Sequence, residues 1–128
     1  MNYLLDTCAF LWLASQPEKL SRKAKSVCND PANELWLSDV SVWEIVLKHG
    51  AGKLDLQEGP RIWVPAKRLT HGLTQLVLRE SALFLSGELP NVHNDPFDRL
   101  LAAQAVENEM TLVSPDTPLS ALGAARIW

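Results

Sequence analysis

Apolar positions along this 128-residue chain fall into two alternating patterns. Short continuous apolar runs predict buried strands at Asn2–Leu5, Leu35–Leu37, Leu73–Leu78 and Thr111–Val113, with a last short one at Arg126–Trp128. Between them, apolar residues recurring every three or four positions predict helices over Cys8–Ala14, Ser21–Cys28, Val40–His49, Glu80–Ser86 and Pro96–Glu109. A further helix is expected within Ile62–His71, with Pro65 as a candidate first residue and Gly72 as its end. Pro17 restarts the chain after the first helix, and Asn29-Asp30-Pro31 closes the second with turn chemistry. Gly50 or Gly52 ends the third, and Gly87 stops the Glu80 helix.

Strands alternating with helices predict an α/β fold: a central parallel sheet flanked by helices on both faces. In such sheets ligands gather beyond the carboxyl ends of the strands, where strand order reverses. The length suits one domain, 1–128, and no repeat, low-complexity tract or linker divides it. Hydrophobic residues at 47% and charged residues at 21% describe a soluble globular chain. Apolar stretches such as Ile45-Val46-Leu47 are far too short to span a bilayer, so no membrane association is expected. The N-terminus lacks a basic region and Asp6 interrupts its first apolar run, which argues against a secretory signal. Cys8 and Cys28 lack metal-ligand spacing, and Cys8 reads as a buried thiol in a reducing cytoplasm.

Four acids follow the predicted strands: Asp6 after the first, Glu44 one turn into the helix after the second, Asp98 in the first turn of the Pro96 helix, and Asp116 after the fourth strand. Each has a structural explanation. Asp6 suits a helix N-cap, Ser41-Val42-Trp43-Glu44 matches a capping box, Asp98 suits a helix first turn, and Asp116 suits a turn. Together they raise a different question, because four carboxylates at one sheet edge repel one another unless protonated or neutralised. A hard cation such as Mg²⁺ or Mn²⁺ supplies that neutralisation and favours oxygen ligands. The accompanying chemistry is phosphodiester hydrolysis. Zn²⁺ is expected to substitute poorly, since no Cys/His ligand set is visible. A Walker-type glycine loop and a nucleophile elbow are both absent.

More specific are the residues themselves. Tyr3-Leu4-Leu5-Asp6-Thr7 followed by Phe10-Leu11-Trp12-Leu13, then Ser41-Val42-Trp43-Glu44-Ile45, His93 through Ala105, and Thr111 through Asp116 keep one order over nearly the whole chain. This pattern resembles the PIN-domain toxins of the VapC type. The resemblance implies a PIN-like fold, a divalent-cation pocket and endoribonuclease activity. By position, Asp6, Glu44, Asp98 and Asp116 are its catalytic and metal-binding acids, with Asp6 and Asp98 as direct ligands and Glu44 and Asp116 binding directly or through water. Asp95 is expected to be the N-cap before Pro96 instead. Thr7 and Ser114 are placed to orient ligands, and Pro115 departs from the basic or polar residue many relatives carry. His93 is read as a loop-steadying histidine with acid–base work as its alternative; His49 and His71 have less claim. Trp12 and Trp43 are expected in the core, and Arg99 either at a phosphate or neutralising the pocket.

The resemblance also implies an RNA substrate, a cognate antitoxin that blocks the pocket, promoter DNA bound only through the antitoxin complex, and a homodimer. The net charge of −3 is unusual for a nucleic-acid binder. Two basic groups, Lys19/Arg22/Lys23/Lys25 and Arg61/Lys67/Arg68, are either RNA contacts or solvated helix faces. A PIN-like nuclease of RNA processing or DNA repair and a non-catalytic binding module are the rival readings. An acidic Mg²⁺-binding signalling module is a further alternative; its receiver-like form loses, because a receiver needs a lysine after a late strand and Lys67 is the last in the chain.

Overall fold

The sheet forms around inner strands whose apolar side chains pack on both faces. In a computed structural model describing Met1–Trp128, β1 (Asn2–Leu5), β2 (Glu34–Ser38), β3 (Leu73–Leu76), β4 (Thr111–Val113) and β5 (Arg126–Ile127) pair in parallel in the order β3-β2-β1-β4-β5. The helices are α1 (Thr7–Ser15), α2 (Arg22–Asn29), α3 (Asp39–Gly50), α4 (Pro60–Thr70), α5 (Glu80–Glu88), α6 (Pro96–Glu107) and α7 (Pro118–Ala121).

Strand alternation divides the core in two. Tyr3, Leu5, Leu35, Leu37, Leu73 and Val113 face Phe10 of α1, Ala24 and Val27 of α2, Ile45 of α3, and Trp63 and Val64 of α4. Leu4, Leu76 and Leu112 face Leu100, Leu101, Ala102 and Ala105 of α6 and Leu119 of α7. Each fully buried leucine here contributes roughly 1.5–3 kcal/mol. Helices on both faces of a parallel sheet are the α/β architecture expected from the sequence.

The chain steps outward from β1 through β2 to β3, then returns to place β4 on the other side of β1. The carboxyl ends of β1 and β4 therefore flank the crevice where strand order reverses. Leu5 pairs with both Leu37 and Val113, so the residues after these strands emerge at one level.

Four boundaries differ from expectation. Helix α5 continues through Gly87 to Glu88, so Gly87 does not stop it. Helix α4 begins at Pro60, with Gly59 as N-cap, which leaves Pro65 inside the helix rather than at its start. Burial of Trp63 and Val64 anchors this first turn. Helix α6 stops at Glu107 because Glu109 adopts a left-handed φ of 54°. The Met110 N–H then bonds the Ala105 carbonyl at 2.8 Å and the Glu109 N–H bonds Val106 at 3.3 Å. This closing motif usually carries glycine, and burial of Met110 holds it here without one. Strand β3 ends at Leu76, two residues early, and the Leu78 N–H turns to the Asp39 carboxylate at 3.3 Å.

Candidate active site

Each of the four acids occupies a place fixed by local structure. Asp6 immediately follows β1 and caps α1: one carboxylate oxygen accepts from the Ala9 N–H at 2.7 Å, the other from the Ser114 hydroxyl. The capping explanation for Asp6 is therefore correct, and it coexists with a place in the acid cluster. Glu44 lies one turn inside α3, whose N-cap is Ser38, not Ser41. No capping box exists, so capping does not explain Glu44. Its Oε1 accepts from the Thr7 hydroxyl at 2.6 Å and its Oε2 lies 2.6 Å from the Lys48 ammonium. Asp98 is the third residue of α6, and its Oδ2 lies 2.8 Å from His93 Nε2. Asp116 follows β4, its N–H donating to Ser114 Oγ at 3.0 Å, and its carboxylate stands 3.9 Å from the same imidazole nitrogen.

All four acids, with Asp95, line one cavity of about 360 Å³ beyond the carboxyl ends of β1 and β4. Thr7, Cys8, Leu11, Lys48 and Pro115 complete its wall. A larger groove of about 560 Å³, between α1, the 54–57 segment and α4, has Asp55 as its one carboxylate and shares only Leu11 with the acid pocket.

The electrostatics reflect this crowding. Burial pushes the Asp6 carboxyl up to about 6, against the lowering effect of the Ser114 and Ala9 hydrogen bonds, with Asp116 and Glu44 adding repulsion. Asp98 is also raised to about 6, first by burial, with Asp95 and Asp116 acting in the same direction. His93 is raised above its ordinary value, chiefly by its hydrogen bond to Asp98. Lys48 is raised by its bond to Glu44. The Cys8 thiol is pushed up to about 11 by burial and the nearby Asp6, so it stays protonated; it is half-buried rather than enclosed, and unpaired with Cys28. His93, Asp98 and Asp116 each offer a ligand atom within 4.8 Å of one another. This group sets one imidazole among carboxylate oxygens.

Several neighbouring residues behave differently from expectation. Asp95 caps α6 through the Phe97 N–H at 2.9 Å, as expected, yet its side chain also reaches the pocket wall. Arg99 neither neutralises the pocket nor stands free for phosphate. Its guanidinium donates to the carbonyls of Ser86, Leu89, Pro90 and His93, tying the end of α5 and the loop that carries His93 to α6. Trp43 is 52% exposed rather than core, and meets Phe97 edge-on at 5.1 Å. Trp12 is half-buried against Trp128 at 5.7 Å. His49, His71 and both basic groups lie off the acid pocket. Lys48, the pocket's own cation, was not singled out by the sequence reading, although its position four residues after Glu44 on one helix was the available signal.

The fold resembles several solved proteins. VapBC2 from Rickettsia felis, bound to a DNA fragment from its promoter, superposes with a TM-score of 0.71 at 18% identity, covering 99% of this chain and 98% of that one. VapBC-1 from nontypeable Haemophilus influenzae gives 0.64 at 15% identity over 99% and 97%. FitAcB from Neisseria gonorrhoeae gives 0.62 at 19% identity over 98% and 96%. At these identities the likeness concerns the fold. No curated protein sequence matches the chain. The pattern of the PIN domain family matches residues 3–124. With that match spanning almost the whole sequence, the chain belongs to the PIN domain family, whose members are nucleases.

Proposed function

We propose that this chain, as a single PIN-like domain over 1–128, is a divalent-metal-dependent endoribonuclease and the toxin of a type II toxin–antitoxin pair. The observation that carries this reading is the convergence of Asp6, Glu44, Asp98 and Asp116 on one pocket at the strand-order reversal. Two of these acids are held near 6, a penalty that a bound cation removes. The donor set is dominated by carboxylate oxygens and fits Mg²⁺ or Mn²⁺. In this reading Asp6 and Asp98 would hold the ion directly, and Glu44 and Asp116 would hold it directly or through water. When bound, the ion lowers the pKa of an attacking water and stabilises charge on the leaving oxygen. The chain's own residues fix the acids: Ser114 and the Ala9 amide orient Asp6, Thr7 orients Glu44, and His93 orients Asp98.

The partner assignments have separate support. Similarity to VapBC and FitAB-type complexes, one of them on promoter DNA, supports a cognate antitoxin that covers the pocket and carries the complex to its promoter. A homodimer and a cytoplasmic location belong to the same reading. No helix is long and apolar enough to cross a membrane. Induced expression in a bacterial host with end-mapping of cellular RNA tests the proposal. Wild type should arrest growth and generate discrete new RNA ends, and Asp6→Asn should do neither. Growth arrest without new RNA ends, or equal cleavage by Asp6→Asn, would defeat the reading.

A further inference from the structure

The acid pocket contains a contradiction for any enzyme acting on RNA. Five carboxylates line it, and the substrate is itself a chain of anions. Phosphate recognition normally comes from arginine or lysine, yet both basic groups lie elsewhere and Arg99 is fully engaged with backbone carbonyls. Lys48 is the one cation among the ten residues lining the pocket.

Its placement is specific. Glu44 is 9% exposed and its two oxygens are taken by different donors, Thr7 at 2.6 Å and Lys48 at 2.6 Å. Thr7 fixes Glu44 from α1, and Glu44 in turn fixes the Lys48 ammonium at the pocket wall. The Lys48 side chain remains 50% exposed. An ammonium has three donors, so the bond to Glu44 leaves two for another acceptor. A buried carboxylate holding a half-exposed lysine at the mouth of an acidic pocket is a preorganised anion contact.

We infer that Lys48 is the phosphate-contacting residue of this site: held by the Thr7–Glu44 pair, its ammonium binds a phosphate of single-stranded RNA beside the acid cluster. The inference rests on the ribonuclease reading above. It assigns Glu44 a second task, positioning Lys48. Simple neutralisation of Glu44 by Lys48 is the competing account, and the two differ in what RNA binding requires.

The test uses the full-length protein with Mn²⁺ and a mixed-sequence single-stranded RNA 12-mer, comparing wild type, Lys48→Met and Lys48→Arg. Three quantities are read: the KM and kcat of cleavage, the dependence of kcat/KM on salt, and Mn²⁺ affinity by titration without RNA. Lys48→Met should raise KM about 10-fold and make the salt slope shallower by about 0.7, the share of one phosphate contact on a single strand. Its Mn²⁺ affinity should hold or rise, because a competing cation has gone from Glu44. Lys48→Arg, which keeps the charge, should recover KM to within a few-fold of wild type. Unchanged KM and salt slope in Lys48→Met, with wild type cleaving normally, would overturn the role of Lys48 and leave the ribonuclease reading standing. A Lys48→Arg variant as weak as Lys48→Met, or Lys48→Met losing Mn²⁺ affinity, would likewise overturn it in favour of a purely local packing role. Wild type failing to cleave RNA with Mn²⁺ would overturn both.

Discussion

Asp98→Asn is expected to reduce RNA cleavage by at least ~100-fold while leaving the fold intact, since loss of even an indirect metal contact typically costs 10–100-fold. Asp95→Asn, one turn away on the same helix, should keep most activity. The difference lies in what each carboxylate does at the start of α6. Asp95 precedes Pro96 and spends an oxygen on the Phe97 N–H, a cap that asparagine supplies equally well. Asp98 is more enclosed, is raised to about 6 and meets both His93 and Asp116. Asn at position 98 keeps the shape and a hydrogen-bond partner for His93 but loses the charge a cation needs. Asp95→Ala should cost about 0.5–2 kcal/mol through the lost cap. Thermal melts and RNA cleavage on the three variants separate the roles; an inactive Asp95→Asn beside a normally active Asp98→Asn would reverse the assignment.

The second large effect concerns stability without metal. Asp6 titrates near 6 in the folded chain and near 3.8 when unfolded. Between those values the folded state binds more protons than the unfolded state, so metal-free stability falls as pH rises from about 4 through 6. Asp98 and His93, both raised, change stability in the same direction. For Asp6 alone the loss at neutral pH is on the order of 2–3 kcal/mol. Asp6→Asn removes that ionisation and keeps a capping oxygen. Stripped of metal, the variant should therefore melt above wild type at pH 7.5, with the gap closing near pH 4. Denaturant or thermal unfolding in EDTA at the two pH values checks this. A variant less stable than wild type at both would mean that Asp6 serves the fold chiefly as a cap.

How much of this was legible in the sequence depends on the range of the interactions involved. Asp6 and Asp95 were readable because capping is local: each carboxylate bonds an amide two or three residues ahead. The parallel sheet was readable because each strand sits between turn signals and a helix with its own period. Ser41-Val42-Trp43-Glu44 has the spacing of a capping box without forming one. Ser38 caps the helix three residues earlier, and Ser41, buried on α3, has no hydrogen-bond partner. Arg99 was opaque for a physical reason: its partners are backbone carbonyls of Ser86 to His93, and carbonyls leave no mark in a sequence. The end of α6 was misplaced because glutamate occupies a left-handed position that ordinarily announces itself as glycine. Helix α7, a single turn at Pro118–Ala121, has too few residues to show a period. The meeting of His93 with Asp98 and Asp116 depends on loop placement that only the fold supplies.

Whether these acids form a cation site that cuts RNA is decided by a metal titration. Protein stripped with EDTA is titrated with Mn²⁺ at pH 7.5, with cleavage of a single-stranded RNA followed in the same samples and Asp6→Asn as the control. Wild type should be inactive when stripped, gain activity along its Mn²⁺-binding curve, and lose it again on renewed chelation, whereas Asp6→Asn should gain none. Cleavage that persists in excess chelator, or Mn²⁺ binding that saturates with no RNA cut, would contradict the account.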